Sequence, residues 1–373
     1  MTIDIGLDLN EQEAQAARAE ALALQILGQF SGGIELLTIE LGRRLGLYDA
    51  LLAAGPVTAA EFADRAAIAP RYAVEWLDQQ AAAGILDVVG HDRTSTERLF
   101  LLPAPHAAVL LDRESPAYLL GAAPLFFGVA KTVPEVADAY ATGRGVEYAD
   151  FGDELRYGIA ELNRPGFLLQ MRSWVDQLPD IAARLDRGGV ILDAGCGEGW
   201  SSIGLANAFP EARVVGIDLD RPSVEVARCH VEDAGLEDRV TIVRANAADA
   251  LALRVATGGE VTLVTAFQAL HDMGHPVEAL VAFREVLADR GAVLVGDEHG
   301  DDVKAAPADD TERLKLAMSV LHCAPATWAE SDEVVNGTVL RAHTFATWVH
   351  EAGFASYDVL DIEHPFWRFH RVS

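Results

Sequence analysis

Hydrophobic and polar positions along the 373-residue chain fall into two regimes. From Val190 onward, short apolar runs alternate with stretches of helical periodicity. Runs at 190–193, 213–218, 240–245, 261–267 and 292–297 are rich in Val, Ile and Leu, the pattern of strands covered on both faces. Helices are predicted between them. One is entered through Pro222 and another is opened by Pro276, because proline's fixed φ and missing N–H suit a first helical turn. This alternation predicts a parallel sheet with helices on both faces. At the end of the chain two strand-like runs, 355–362 and 366–372, are joined only by Glu363-His-Pro365, so an antiparallel hairpin is expected to close the sheet.

The first regime is helical. Residues 34–54 carry apolar side chains at helical spacing. Thr58-Ala-Ala-Glu61 is a capping box that starts a helix reaching about Ala66. Pro70 opens an amphipathic helix through Tyr72, Trp76, Leu77 and Gln80 that stops at Gly84. Residues 85–89 and 98–102, with a turn at Gly90-His-Asp-Arg93, read as a hairpin. Three helices and a hairpin predict a winged helix-turn-helix. Polar residues near 180–189, among them Asp186-Arg-Gly-Gly189, separate the regimes. Three segments are expected: a helical winged-helix part at 1–114, connecting helices at 115–180, and the alternating part at 181–373. The connecting segment is rich in aromatics such as Phe126, Tyr148, Phe151, Phe167 and Trp174, suited to roofing a pocket.

Charge narrows the possible partners. The chain has 29 Lys and Arg against 57 Asp and Glu, a formal net charge of -28, which repels phosphate backbones and argues against a nucleic-acid partner. The helix from Pro70 offers Arg71 beside Glu75 and Asp78, too few cations for a DNA reader. Cys196, Cys229 and Cys323 lie far apart without C-x-x-C spacing, which fits a reducing, cytoplasmic setting rather than a disulfide framework. Acids in Met1-Thr-Ile-Asp-Ile-Gly-Leu-Asp8 stand where a signal peptide needs basic residues. The stretch 117–130 is short and contains Pro124, so no membrane span is expected there.

Candidate chemistry concentrates in Val190-Ile-Leu-Asp-Ala-Gly-Cys-Gly-Glu-Gly-Trp200, a buried strand ending in Asp193 and followed by glycines at 195, 197 and 199. Glycines let the backbone turn tightly and lie bare against a ligand. A dinucleotide fingerprint needs a glycine where Trp200 stands. The spacing D-x-G-x-G-x-G instead resembles motif I of class I S-adenosylmethionine-dependent methyltransferases. A second strand, Arg213-Val-Val-Gly-Ile-Asp218, ends in an acid suited to two ribose hydroxyls.

The resemblance implies a Rossmann-like, seven-stranded α/β sheet with a C-terminal antiparallel hairpin, preceded by the winged-helix domain. It implies S-adenosyl-L-methionine as cofactor, held by Asp193, Gly195, Cys196, Gly197, Gly199, Asp218, Leu219, Asn246, Ala247 and Phe267. Asn246 stands where many relatives have an Asp that reads adenine. Similarity to two-domain O-methyltransferases further implies a homodimer and a small-molecule acceptor methylated at oxygen. In Phe267-Gln-Ala-Leu-His-Asp-Met-Gly-His-Pro276, His271 takes the place of a general base or of a group that only orders the pocket, with Asp272 beside it. Glu298, or in second place Asp297, is the carboxylate expected to orient that His. His271, His275 and Asp272 would suit a metal only on a helix, which Gly274 and Pro276 break, so no metal is expected. His322 and Cys323, among helical leucines, read as core. The alternative function is a winged-helix transcriptional regulator carrying a methyltransferase-like sensor domain.

Overall fold

The computed structural model describes residues 9–89, 98–301, 305–331, 333–334 and 336–373. The chain divides into two compact units between Leu111 and Asp112.

In the first unit, helices α1 (Leu9–Arg44), α2 (Leu47–Ala54), α3 (Ala59–Ala66) and α4 (Pro70–Ala82) precede strands β1 (Asp87–Val89) and β2 (Leu99–Leu101) and helix α5 (Ala104–Leu110). The periodic stretch 34–54 is two helices, because Gly46 adopts a left-handed φ of 64° and stops the first. The capping box forms as its sequence requires, with Thr58 N donating to Glu61 Oε2 at 2.9 Å and Glu61 N to Thr58 Oγ1 at 3.3 Å. Trp76 stacks on Phe62 at 5.8 Å, and the Tyr48 hydroxyl donates to Gln80 Oε1 at 2.6 Å. Strands β1 and β2 pair antiparallel; the turn expected at Gly90 to Arg93 lies outside the described residues. Helix α1 is long and apolar enough to cross a membrane. The stretch considered for that role, 117–130, instead contributes to a shorter helix.

The second unit begins with α6 (Ala122–Lys131), α7 (Val133–Thr142), a 3₁₀ turn (Tyr148–Phe151), α8 (Asp153–Val175) and α9 (Pro179–Leu185). Alternation follows: β3 (Gly189–Ala194), α10 (Trp200–Ala208), β4 (Ala212–Asp218), α11 (Arg221–Asp233), β5 (Val240–Arg244), α12 (Ala250–Thr257), β6 (Val261–Phe267), a 3₁₀ turn (Leu270–Asp272), α13 (Pro276–Val286) and β7 (Leu287–Glu298). Helix α14 (Asp310–Met318), a π-helical turn (Ser319–Cys323), α15 (Ala324–Glu330), α16 (Ala342–Glu351), β8 (Tyr357–Val359) and β9 (Trp367–Val372) complete it.

The seven strands lie in the order β5-β4-β3-β6-β7-β9-β8. The first five are parallel, and β9 runs antiparallel to both β7 and β8. Period-two alternation sends Ile191, Val214, Leu263 and Leu294 to the face covered by Trp174, Ile181 and Phe209. Their neighbours Leu192, Val215, Val264 and Val293 face Leu253, Phe283 and Phe345. Burial on both faces is why these runs read as continuously apolar. Gly204 lets α10 lie against α8, since a Cβ there would come within 2.3 Å of the Phe167 carbonyl. The strand order reverses between β3 and β6, which opens a crevice beyond their carboxyl ends.

Candidate active site

The crevice is floored by the glycine turn after β3. Gly195, Gly197 and Gly199 all have positive φ, at 72°, 52° and 86°, a conformation that costs little only without a Cβ. At Gly195 a Cβ would also meet the Ala269 side chain at 2.5 Å. Gly195 N and Cys196 N donate to the Ile217 carbonyl, at 2.9 and 3.0 Å, which ties the turn to the end of β4. Asp193 corrects an expectation. Its carboxylate is buried and accepts from Ser201 Oγ and Ser202 Oγ at 2.6 Å each and from Thr265 Oγ1 at 2.8 Å. It braces the turn from below and does not line the cavity; nor does Gly199, which serves as the N-cap of α10.

A cavity of about 480 Å³ opens above the turn, and Gly195, Cys196, Gly197, Asp218, Leu219, Asn246, Ala247 and Phe267 all line it. Asp218 Oδ2 accepts from Gly197 N and Oδ1 from Asp220 N, both at 2.8 Å. Burial is the main reason its pKa is pushed up to about 6, against the pull of those N–H groups. Asn246 Oδ1 accepts from Ala248 N at 2.9 Å, so the side chain also shapes its own turn. Glu198, which sequence reasoning passed over, lines the cavity from within the glycine turn. Burial, reinforced by Glu161, pushes its pKa to about 7.

The far wall comes from α8, α15 and the 3₁₀ turns, with Tyr148, Ile159, Asn163, Asp272, Met273 and Glu330 facing the same cavity. His271 lies just behind it and is 1% exposed. Its Nδ1 donates to Asp297 Oδ1 at 2.5 Å and its backbone N to Asp297 Oδ2 at 3.1 Å, while Nε2 stands 3.2 Å from Asp272 Oδ1. Burial opposes charge on the ring, but Asp272 and Asp297 outweigh it and hold the His271 pKa well above its usual value. The orienting carboxylate is therefore Asp297, not Glu298. Glu298 instead pairs with Lys315 at 3.1 Å and accepts from Gln268 Nε2 at 2.8 Å. Consecutive residues of β7 project to opposite faces, so one position decides which acid meets the ring. His322 and Cys323 are buried, as expected of core. Ligand atoms of His271, Asp272 and Cys323 come within 4.8 Å of one another; here Cys323 Sγ accepts from Thr338 Oγ1 at 3.0 Å and His271 engages the two acids.

Comparison with known proteins agrees with this geometry. Methyltransferase GfsG of Streptomyces halstedii is 30% identical over 199 residues, 50% of this chain and 68% of that protein. The chain belongs to the methyltransferases. A family described as a methyltransferase domain matches residues 185–353, and one described as an Rv2258c-like winged HTH domain matches 33–113. Other curated relatives match over short segments. The release factor glutamine methyltransferase of Rhodopirellula baltica is 31% identical over 61 residues, 16% of this chain and 21% of that one, and the chain spans 36% and 24% of two more. Among solved structures, the mitomycin 7-O-methyltransferase MmcR is 21% identical with a TM-score of 0.64, covering 96% of this chain and 100% of its own. Human N-acetylserotonin methyltransferase is 16% identical with a TM-score of 0.66, covering 94% and 97%. At these identities the likeness carries the fold.

The residues of this methyltransferase fit the family's cofactor, S-adenosyl-L-methionine. Each Asp218 oxygen already takes one backbone N–H and keeps lone-pair capacity for one hydroxyl of a ribose diol. The turn is open at Gly197, where a Cβ would meet nothing within 4 Å, which leaves room for the methionine chain.

Proposed function

We propose that this methyltransferase transfers a methyl group from S-adenosyl-L-methionine to a hydroxyl oxygen of a small, partly apolar acceptor. The observation that carries this reading is one cavity joining the glycine turn and Asp218 to Asp272 and the apolar wall of Ile159, Phe167 and Met273. The mitomycin and N-acetylserotonin enzymes, named for small-molecule substrates, support it. Bound S-adenosylmethionine supplies a methyl group on a positively charged sulfur, an electrophile that needs an aligned nucleophile more than activation. Asp218 holds the ribose, Arg156 on the cavity wall suits the carboxylate of the amino acid end, and the wall aligns the acceptor oxygen. An acceptor hydroxyl aligned there would have to give up its proton, and Asp272, which faces the cavity with its carboxyl, despite burial, held below its usual range by His271, is the group placed to take it. His271, held by Asp297, is the group behind it.

We further propose a homodimer formed through α1, which exposes Leu22, Ile26, Phe30 and Ile34 along one face. The regulator alternative has less support: Arg71 is paired with Glu75, and Arg98 with Asp78 at 2.7 Å, so the cations on and beside α4 are engaged by acids. The decisive experiment is calorimetry with S-adenosylmethionine. Binding by the wild type and at least about tenfold weaker binding by Asp218→Ala are expected, from losing a charge-assisted hydrogen-bond pair; no heat with the wild type would overturn the reading.

A further inference from the structure

Behind the cavity wall lies a hydrogen-bond chain that starts from a buried cation. Lys315 is 4% exposed. Its Nζ donates to the carbonyls of His299 at 2.8 Å and Phe366 at 2.6 Å and pairs with Glu298 Oε2 at 3.1 Å. Glu298 Oε1 accepts from Gln268 Nε2 at 2.8 Å, and Gln268 Oε1 accepts from Asn163 Nδ2 at 2.6 Å. The direction of these bonds is forced. A carboxylate beside an ammonium can only accept, so Gln268 must turn its NH₂ toward Glu298 and its carbonyl toward Asn163. Asn163 must then turn its NH₂ toward Gln268, which leaves its Oδ1 as the end of the chain. Asn163 and Gln268 both line the cavity, while Lys315 and Glu298 do not.

The backbone supports the same reading. Gln268 has a φ of 50°, left-handed for a residue with a Cβ, and its N–H donates to the Gly296 carbonyl at 2.8 Å. Such a conformation is strained and persists where surrounding contacts over-determine it, most often at functional sites. Here those contacts come from β7 and α8, and Lys315 of α14 holds the β7 residue Glu298 in turn.

We propose that Asn163 recognises the acceptor through its carbonyl oxygen, so the acceptor must present an O–H or N–H donor at that wall, and that Lys315 and Glu298 are positioning residues which fix the Asn163–Gln268 pair. The inference rests on the methyl-transfer reading of the cavity. It names what that reading leaves open, the polar handle by which the acceptor is selected. An ether or a tertiary amine of the same shape leaves Asn163 Oδ1 unpaired and binds more weakly.

The test uses the full-length protein, labelled with ¹⁵N at Asn and Gln side chains and saturated with S-adenosylhomocysteine, with phenol and anisole as probes. The two probes share the ring, and only phenol donates. Phenol is expected to shift the Asn163 side-chain amide signal and anisole to leave it in place. In Lys315→Met the Gln268 and Asn163 amide signals are expected to move and phenol to bind about tenfold more weakly, the effect of one lost oriented hydrogen bond. S-adenosylhomocysteine affinity should stay within about twofold, because Lys315 lies off the cofactor end of the cavity. Equal responses to phenol and anisole, or amide signals unmoved in Lys315→Met, would overturn the proposal. Should Lys315→Met fail to fold, Asn163→Leu supplies the second arm, in which the preference for phenol over anisole must vanish. Failure of the wild type to bind S-adenosylhomocysteine overturns the underlying cofactor reading instead, which keeps the two failures apart.

Discussion

Asp218 has each carboxylate oxygen tied to a backbone N–H, yet burial lifts its pKa to about 6. Ribose hydroxyls donate to the ionised form, so cofactor binding is linked to loss of that proton. Because the pKa is raised, the ionised fraction is nearly complete above pH 7 and falls as the pH drops through 6. Affinity for S-adenosylmethionine should therefore be flat from about pH 7 to 8 and weaken by up to about tenfold per unit below 6. Calorimetry across that range checks it, and Glu198→Gln removes the neighbouring group that titrates near 7. A profile flat down to pH 5 would refute the assignment. At the other end of the cavity, His271→Ala should lower turnover about 10²-fold while leaving cofactor affinity unchanged; retained turnover would leave only alignment to account for the rate. The turn, Asp218 and the His271–Asp272 pair were legible because each sits at a strand end fixed by an apolar run. The orienting acid was not, because Asp297 and Glu298 differ by one position on β7 and only the register with β6 and β9 selects between them. Asn163 lay in no motif, Gln268 sat unremarked inside the segment 267–276, and their pairing spans 105 residues of sequence.

Helix α1 joins sequence to assembly at the scale of a single element. Leu22, Ile26, Phe30 and Ile34 recur every four residues and all are at least 46% exposed among the described residues, an apolar row along one side of the helix. Gly28 and Gly32 lie in the same stretch with nothing within 4 Å of where a Cβ would stand. Each glycine destabilises a helix by about 1 kcal/mol relative to alanine, and such positions are explained when another helix approaches closely. The four side chains would contribute on the order of 1.5 kcal/mol or more each on burial. Sedimentation should give a dimer, with Phe30→Asp shifting it toward monomer; flotation of the wild type with liposomes would instead favour the membrane reading that the helix's length and composition also permit. Sequence periodicity located this helix from residue 34 but could not say what covers it, since a core face and an interface face have the same pattern. The sheet posed no such difficulty. Its strands fall within a few residues of the apolar runs, except β7, which starts five residues earlier at Leu287, and the closing hairpin lies where Glu363-His-Pro365 interrupts the pattern.

On the scale of the whole molecule, charge is the dominant feature. With 57 acids against 29 Lys and Arg, negative charges outnumber positive ones by 28. Exposed ion pairs such as Arg172 with Asp176 and Asp186 contribute about 0–1 kcal/mol each and weaken as salt is added. Repulsion from this excess of negative charge acts in the opposite sense and is also screened, with a Debye length falling from about 30 Å at 0.01 M to about 8 Å at 0.15 M. Ion pairs in contact are far shorter than either length, whereas a net charge repels itself across the molecule, so the repulsive sum loses more on screening than the short-range pairs do. The midpoint of thermal unfolding should therefore rise by several degrees between 0.01 and 0.3 M sodium chloride, since one kcal/mol corresponds to roughly 2–4 °C at this size or somewhat less. Scanning calorimetry measures it directly, and a midpoint that falls with salt would mean that the ion pairs outweigh the net charge. The same field sets the expectation for the winged-helix unit. A duplex brings a second dense line of negative charge to this surface, so no mobility shift with DNA is expected even near 0.05 M salt, where electrostatic binding is strongest; a salt-sensitive shift there would require cations gathered on one face of that unit and would revive the regulator reading.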